Sequence, residues 1–197
     1  MMNKTDMEYI EINIWFLKMS ELYEICKKFN VPYKILLEID GKYITSQEKD
    51  RKKIIINKIV DFLNNKIVKP TVYSNKVICF EPLKNITKKS KIFYGQYKNG
   101  NKLIFDLLNN LTDNDFKFGA LSCELINKFW SNSISPSYEQ FAKKYIEIKN
   151  NINDNLKDHL EWRFLNFLKD GGTITQWKKQ QKIIKSKIFM MLKKLRE

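Results

Sequence analysis

Apolar positions recur at three- and four-residue spacing along most of the chain, which predicts a succession of helices. The stretch 50–63, DRKKIIINKIVDFL, is the hardest to read, because three adjacent isoleucines suit a strand. On a helix, Ile55, Ile59 and Phe62 form one line and Ile56, Ile59 and Leu63 the next, with Lys52, Lys53 and Lys58 on the remaining surface. On a strand, Asn57, Lys58 and Asp61 would scatter polar groups over both faces. The pattern predicts a helix, since burying its apolar face outweighs the roughly few tenths of a kcal/mol per residue that β-branching costs.

The opening residues alternate loosely at Tyr9, Ile12 and Ile14 and suit an extended arm or a short helix. A helix follows, with Ser20 as N-cap, Glu21 in its first turn, and Leu22, Ile25, Cys26 and Phe29 at helical spacing. Asn30 and Pro32 end it. Asp40-Gly41 then stands between two apolar runs, as in a hairpin, although a short helix stopping at Gly41 fits the same letters. Beyond a linker around Pro70, KVICFE reads as a short strand.

Further helices are predicted at KLIFDLLNNL, ending at TDND, and at FKFGALSCELINKFW, broken by SNSISPS. SYEQFAKKYIEIKNNI follows with Ser135 or Ser137 as cap. The segment LEWRFLNFLKDGGTITQWKK, with Leu160 and Trp162 at its start, repeats that grammar: aromatics, helix, polar break, capped helix with an aromatic. The two copies read as diverged helical hairpins. Residues 176–197 form a basic helix: Trp177, Ile184, Ile188, Met191 and Leu195 make a seam, surrounded by Lys178, Lys179, Lys182, Lys185, Lys187, Lys193, Lys194 and Arg196. Such a helix packs on the body or offers itself to a partner helix, an acidic surface or nucleic acid. The expected fold is mainly α with a minor β-hairpin or short strands. Its expected division is an N-terminal module over 1–69, with an insertion at about 31–50, and a helical domain over 70–197.

At 197 residues, 43% hydrophobic, the chain is long enough for a real core, in one domain or two small ones. A formal charge of +14 points to a polyanionic partner: nucleic acid first, then an anionic membrane surface or an acidic protein. Abundant Lys, Ile and Asn are also what an AT-rich genome produces, which gives part of that charge a compositional origin. Arginine stands only at positions 51, 163 and 196, so any nucleic-acid contact is expected to be directed at the backbone rather than at base edges. Cys26, Cys79 and Cys123 are odd in number, widely spaced and set among apolar residues, as free thiols of a reducing compartment are. No run approaches the roughly 20 apolar residues of a bilayer span, so a soluble intracellular protein of the cytoplasm or nucleoid is expected, a viral or phage origin remaining open.

Phosphate-loop, dinucleotide-fold, zinc-protease and nucleophile-elbow motifs are all missing. Glu38 with Asp40, Asp113 with Asp115, and Glu147 beside Lys149 are fragments of a metal-dependent nuclease site at most, and each suits surface decoration. His159, between Asp158 and Glu161, reads as a solvated or capping residue rather than a general base. Trp130, Trp162 and Trp177 can stack on bases, but aromatics at helical spacing usually belong to a core. No enzyme activity, metal or cofactor is expected.

SELYEICKKFNVP and KKIIINKIVDFL together resemble a SAP-type module, a helix-extended-helix DNA-binding unit. The resemblance rests on Glu21-Leu22, Cys26, Val31-Pro32, Lys52, Ile55, Lys58, Ile59, Phe62 and Leu63. The family's connection is short and usually carries Gly before the lysine; here a longer insertion ends in Asp50-Arg51. YKNGN…FDLL, DFKF, SYEQFAKKY and FLNFLKDGG…QWKK are similar to the uncharacterised helical region of small bacterial and phage-type SAP-domain proteins. The resemblance implies a non-enzymatic nucleic-acid-binding protein, DNA favoured over RNA. Its phosphate contacts are expected from Arg51, Lys52, Lys53 and Lys58, from Lys27 and Lys28, and from Lys178, Lys179, Lys182 and Lys185. The alternative is a structural subunit of a larger assembly, docking on a protein partner through residues 176–197; a nuclease is third.

Overall fold

The computed structural model describes residues 4–154 and 163–194. The elements are α1 (Lys4–Asn13), α2 (Met19–Phe29), β1 (Lys34–Ile39), β2 (Lys42–Lys49), α3 (Lys52–Leu63), β3 (Val72–Tyr73), α4 (Lys102–Leu111), α5 (Ala120–Ser131), α6 (Tyr138–Asp154), α7 (Arg163–Lys169) and α8 (Ile174–Lys193). The fold is mainly α with a small three-stranded sheet, as the patterning predicts. The chain forms two units, one from Met1–Tyr33, Asp50–Lys69 and Asn155–Glu197, the other from Lys34–Lys49 and Pro70–Asp154. Chain order does not follow this division. Lys69 and Pro70 part company where the linker is expected, but the hairpin over 34–49 joins the second unit and the C-terminal segment joins the first.

The first unit is built on α1, α2, α3 and α8. Ile10, Ile14, Leu17, Leu22, Ile25, Ile55, Ile59 and Ile188 are each no more than 1% exposed and share one core with Ile184 and Leu192. Burying each such side chain contributes about 1.5–3 kcal/mol, which explains why the isoleucine run of α3 coils into a helix: Ile55, Ile56 and Ile59 all reach the core from one face. Residues 4–16 are helical, α1 running into a 3₁₀ turn at Ile14–Phe16. Ser20 is not the cap of α2. The helix begins two residues earlier, with Lys18 at the N-cap and its N–H donating to Glu21 Oε2 at 2.7 Å. Asn30 closes α2 in the left-handed conformation, φ 55°.

In α8, Ile184, Ile188, Met191 and Leu192 are buried and Trp177 is half-buried against Phe16, Phe164 and Phe167. The apolar seam of this helix is therefore spent on its own unit. Leu195, Arg196, His159, Asp158, Leu160, Glu161 and Trp162 lie outside the described residues.

In the second unit, Asp40 and Gly41 both take positive φ, 50° and 72°, and turn β1 into β2 as a two-residue hairpin. β1 pairs antiparallel with β2 and parallel with β3, giving the order β2-β1-β3. KVICFE is not a strand; β3 lies upstream of it at Val72–Tyr73. Val77 and Cys79 instead bond to Tyr94, the Tyr94 N–H donating to Val77 O at 2.8 Å and the Cys79 N–H to Tyr94 O at 2.9 Å, a pairing too short to extend. Gly95, at φ 94°, makes this approach feasible, since a Cβ there would stand 2.5 Å from the Cys79 carbonyl oxygen.

α6 packs on α4 and α5. Trp130 is the centre of the resulting core: its ring meets Tyr73, Tyr94 and Tyr97 at 5.5–6.1 Å, and its indole N–H donates to Ile92 O at 3.2 Å. Ser137, not Ser135, caps α6. Its hydroxyl accepts from the Gln140 N–H at 3.1 Å while Gln140 Oε1 accepts from the Ser137 N–H at 2.9 Å. Thr173 and Gln176 repeat the same reciprocal cap at the start of α8. The two helix-break-capped-helix segments thus share their capping chemistry, although α5 and α6 belong to one unit and α7 and α8 to the other.

Trp130→Ala is expected to lower the unfolding free energy by about 3–5 kcal/mol. Trp130→Phe, which removes the indole N–H and the five-membered part of the ring, should cost less, about 2–3 kcal/mol. Urea denaturation followed by circular dichroism measures both.

Candidate nucleic-acid interface

The cations predicted to meet phosphate fall into two groups, one turned inward and one turned outward. The inward group is organised by Glu21, whose side chain is 11% exposed. Its Oε2 accepts the Lys18 N–H, its Oε1 lies 3.0 Å from Lys185 Nζ, and its charge also acts on Lys52. Lys52 Nζ donates to the Trp15 carbonyl at 2.6 Å. Burial pulls the Lys52 ammonium below its usual range, and the Glu21 carboxylate works against that shift. Lys52 is thereby engaged inside the unit, while Lys185, its side chain 41% exposed, is paired with Glu21 at the edge of the unit.

Lys58 is engaged too. Its ammonium lies 2.5 Å from Oδ2 of Asp50, whose side chain has no exposed surface. Asp50 is the residue that ends the hairpin and precedes α3, and its own N–H donates to Tyr33 O at 2.9 Å. The residue before the N-cap of α3 is therefore a buried carboxylate that draws a lysine from the second turn of that helix inward. Cys26 shares these surroundings: burial pushes its thiol up to about 11, with Lys58 lowering it and Asp50 raising it. The same burial raises the Tyr23 phenol, which Arg51 opposes.

The outward group is led by α8. Lys178, Lys179 and Lys182 are exposed, as is Lys193 at the helix end, and this helix carries no Asp or Glu between Ile174 and Lys193. Arg51 is exposed at the N-cap of α3, a helix start with no side-chain cap. Lys27 is exposed in the last turn of α2, where a cation complements the helix dipole. Lys28 stands over the Phe29 ring at 5.7 Å. Lys53 is half-buried in the first turn of α3. Arg163 turns inward, its guanidinium over the Phe16 ring and donating to Ile12 O at 2.8 Å.

The nuclease fragments do not converge. Lys149 pairs with Asp115, and Glu147 takes Lys144 at 2.5 Å. Among the described residues, no three His, Cys, Asp or Glu side chains gather where a metal ion could be held. Trp130 and Trp177 are core residues. Cys26 and Cys123 are buried and Cys79 half-buried, all three as free thiols. Among the described residues no helix is long and apolar enough to cross a membrane. Comparison with protein-family models, curated proteins and solved structures finds no match.

Sequence reading missed Glu21 and Asp50 as the groups that decide which lysines face outward. The one signal for Glu21 is its position three residues after Lys18, the spacing at which a carboxylate reaches back to an N-cap N–H. Glu21→Gln is expected to destabilise the protein by about 1–3 kcal/mol, the partial exposure of Lys185 moderating the loss. Cys26 gives a pH signature. The folded state holds its proton more tightly than the unfolded chain, so stability falls as pH rises from the ordinary thiol range near 9 towards about 11. Cys26→Ala should flatten that fall in denaturation series. Alkylation with iodoacetamide at pH 8.5, read by mass spectrometry, should label Cys79 well before Cys26.

Proposed function

We propose that this chain is a non-enzymatic nucleic-acid-binding protein that contacts the phosphate backbone with the outward face of α8, duplex DNA being favoured over RNA. The observation that carries this reading is the set of exposed Lys178, Lys179, Lys182 and Lys193 on a helix without a carboxylate, anchored by an apolar face on its own core. A rigid helix holds such charges at fixed spacing, so they neutralise phosphates with little loss of further freedom. Arg51, beside the uncapped start of α3, supplies a further contact.

The helix-extended-helix order of α2, hairpin and α3 supports a SAP-type origin for this part of the chain. The extended part is a full β-hairpin belonging to the other unit, and Lys52 and Lys58 are held by internal partners. The proposed contact surface therefore narrows to α8 with Arg51. Exposed Ile183 and Met190 on the outer side of α8 favour, as a second reading, docking on an acidic protein surface within a larger assembly.

Fluorescence anisotropy with duplex DNA, single-stranded DNA and RNA at several salt concentrations tests the proposal. Affinity for duplex DNA should fall steeply with salt. In the combined variant Lys178→Ala, Lys179→Ala, Lys182→Ala the slope of log affinity against log salt should shrink by roughly 2 to 3, about 0.9 for each phosphate no longer neutralised. Lys185→Ala should lower stability while leaving that slope nearly unchanged. Absence of binding at low salt would overturn the proposal.

A further inference from the structure

The second unit holds an open groove of about 510 Å³ between α5 and α6. Its apolar lining comes from Leu125 and Phe129 on α5, Ile134 in the turn and Ile148 on α6. Ile134 is 48% exposed although it sits among these side chains. Leu125, 4% exposed, lies at the bottom of the groove one helical turn from the half-buried Phe129, so the accessible apolar surface is chiefly that of Phe129, Ile134 and Ile148.

The charge of the walls narrows the choice of occupant. Lys128 comes from α5 and Lys143 from α6, both exposed, and among the described residues neither ammonium meets a carboxylate. Lys144, also on α6, is already matched by Glu147 at 2.5 Å. Each wall thus offers one uncompensated cation above an apolar floor. A phosphate backbone would gain nothing from that floor. A second copy of a chain carrying +14 would set lysine against lysine. A single-headed lipid would use one cation and leave the other unmatched.

We propose that this groove receives an amphipathic helix of a partner protein, apolar on the inserted face and bearing Asp or Glu on both flanks. The helix lays its apolar side chains over Phe129, Ile134 and Ile148, and its flanking carboxylates meet Lys128 on one wall and Lys143 on the other. The site lies wholly on α5, α6 and the turn joining them, and does not rest on the nucleic-acid reading of α8.

The test uses the full chain and a fluorescein-labelled peptide of about 14 residues, roughly four turns, cross-linked into a helix, with a leucine face and glutamate flanks. Its control carries lysine in place of every glutamate. Saturable binding of the glutamate peptide, at least tenfold tighter than the lysine peptide, is expected. Ile134→Asp should abolish it, and Lys128→Glu with Lys143→Glu should reverse the preference; all three side chains are exposed, and thermal melting monitors the fold of each variant. The proposal is overturned by absence of saturable binding, by equal affinity for the two peptides, or by full binding in folded Ile134→Asp. Loss of duplex DNA binding in Lys128→Glu with Lys143→Glu would also overturn it, by assigning those lysines to nucleic acid.

Discussion

The carboxylate of Glu21 ties three parts of the first unit together. Its two oxygens serve the start of α2 and a lysine of α8, and its charge offsets the burial of Lys52 at the start of α3. A carboxylate so little exposed is tolerable only when its lone pairs are matched. Here the matching groups come from different parts of the chain, so the ionic contact reports on the assembly of the whole unit. It also ties Lys185, half-exposed on α8, and the more deeply placed Lys52 to the same carboxylate.

This redistribution changes how the high lysine content is to be understood. Lys52, Lys58 and Lys185 are held by Trp15, Asp50 and Glu21, while Lys187 stands 3.9 Å from the centre of the Tyr9 ring. Net charge therefore overstates the charge free to act on a partner. What remains outward is arranged by helix geometry: the apolar seam of α8 fixes which of its lysines face solvent, because residues half a turn away from Ile184 and Ile188 have no core to reach.

Much of the fold was legible from periodicity. The helices at 52–63, 102–111, 120–131 and 138–154 follow from local signals, since spacing acts over a few residues, whereas Asp40-Gly41 suited a hairpin and a helix end alike until β1 and β2 paired. Start positions were less legible: Lys18 has no capping side chain, and α2 begins there because Glu21 reaches back to its N–H. The strand expected at KVICFE does not form, because extended residues become a strand only if a long enough partner lies alongside, and Tyr94 offers two rungs. The candidate surface was half legible. Lysine positions can be read from letters, but the partners that silence some of them, Asp50 for Lys58 and Glu21 for Lys185, lie in other elements and are supplied by tertiary packing.

The order of segments has a consequence for how the protein is made. The second unit draws on Lys34–Lys49 and Pro70–Asp154, whereas the first requires Ile184 and Ile188 to close a core begun at Ile10. The Gln181 amide donates to Phe16 O across 165 positions of chain. A ribosome releases α1, α2 and α3 long before α8, so the part of their shared core that α8 covers stays open while the intervening unit emerges and folds. The basic face of α8 thus comes into being in the same step that seals this waiting core, and a nascent chain holds no finished form of one without the other.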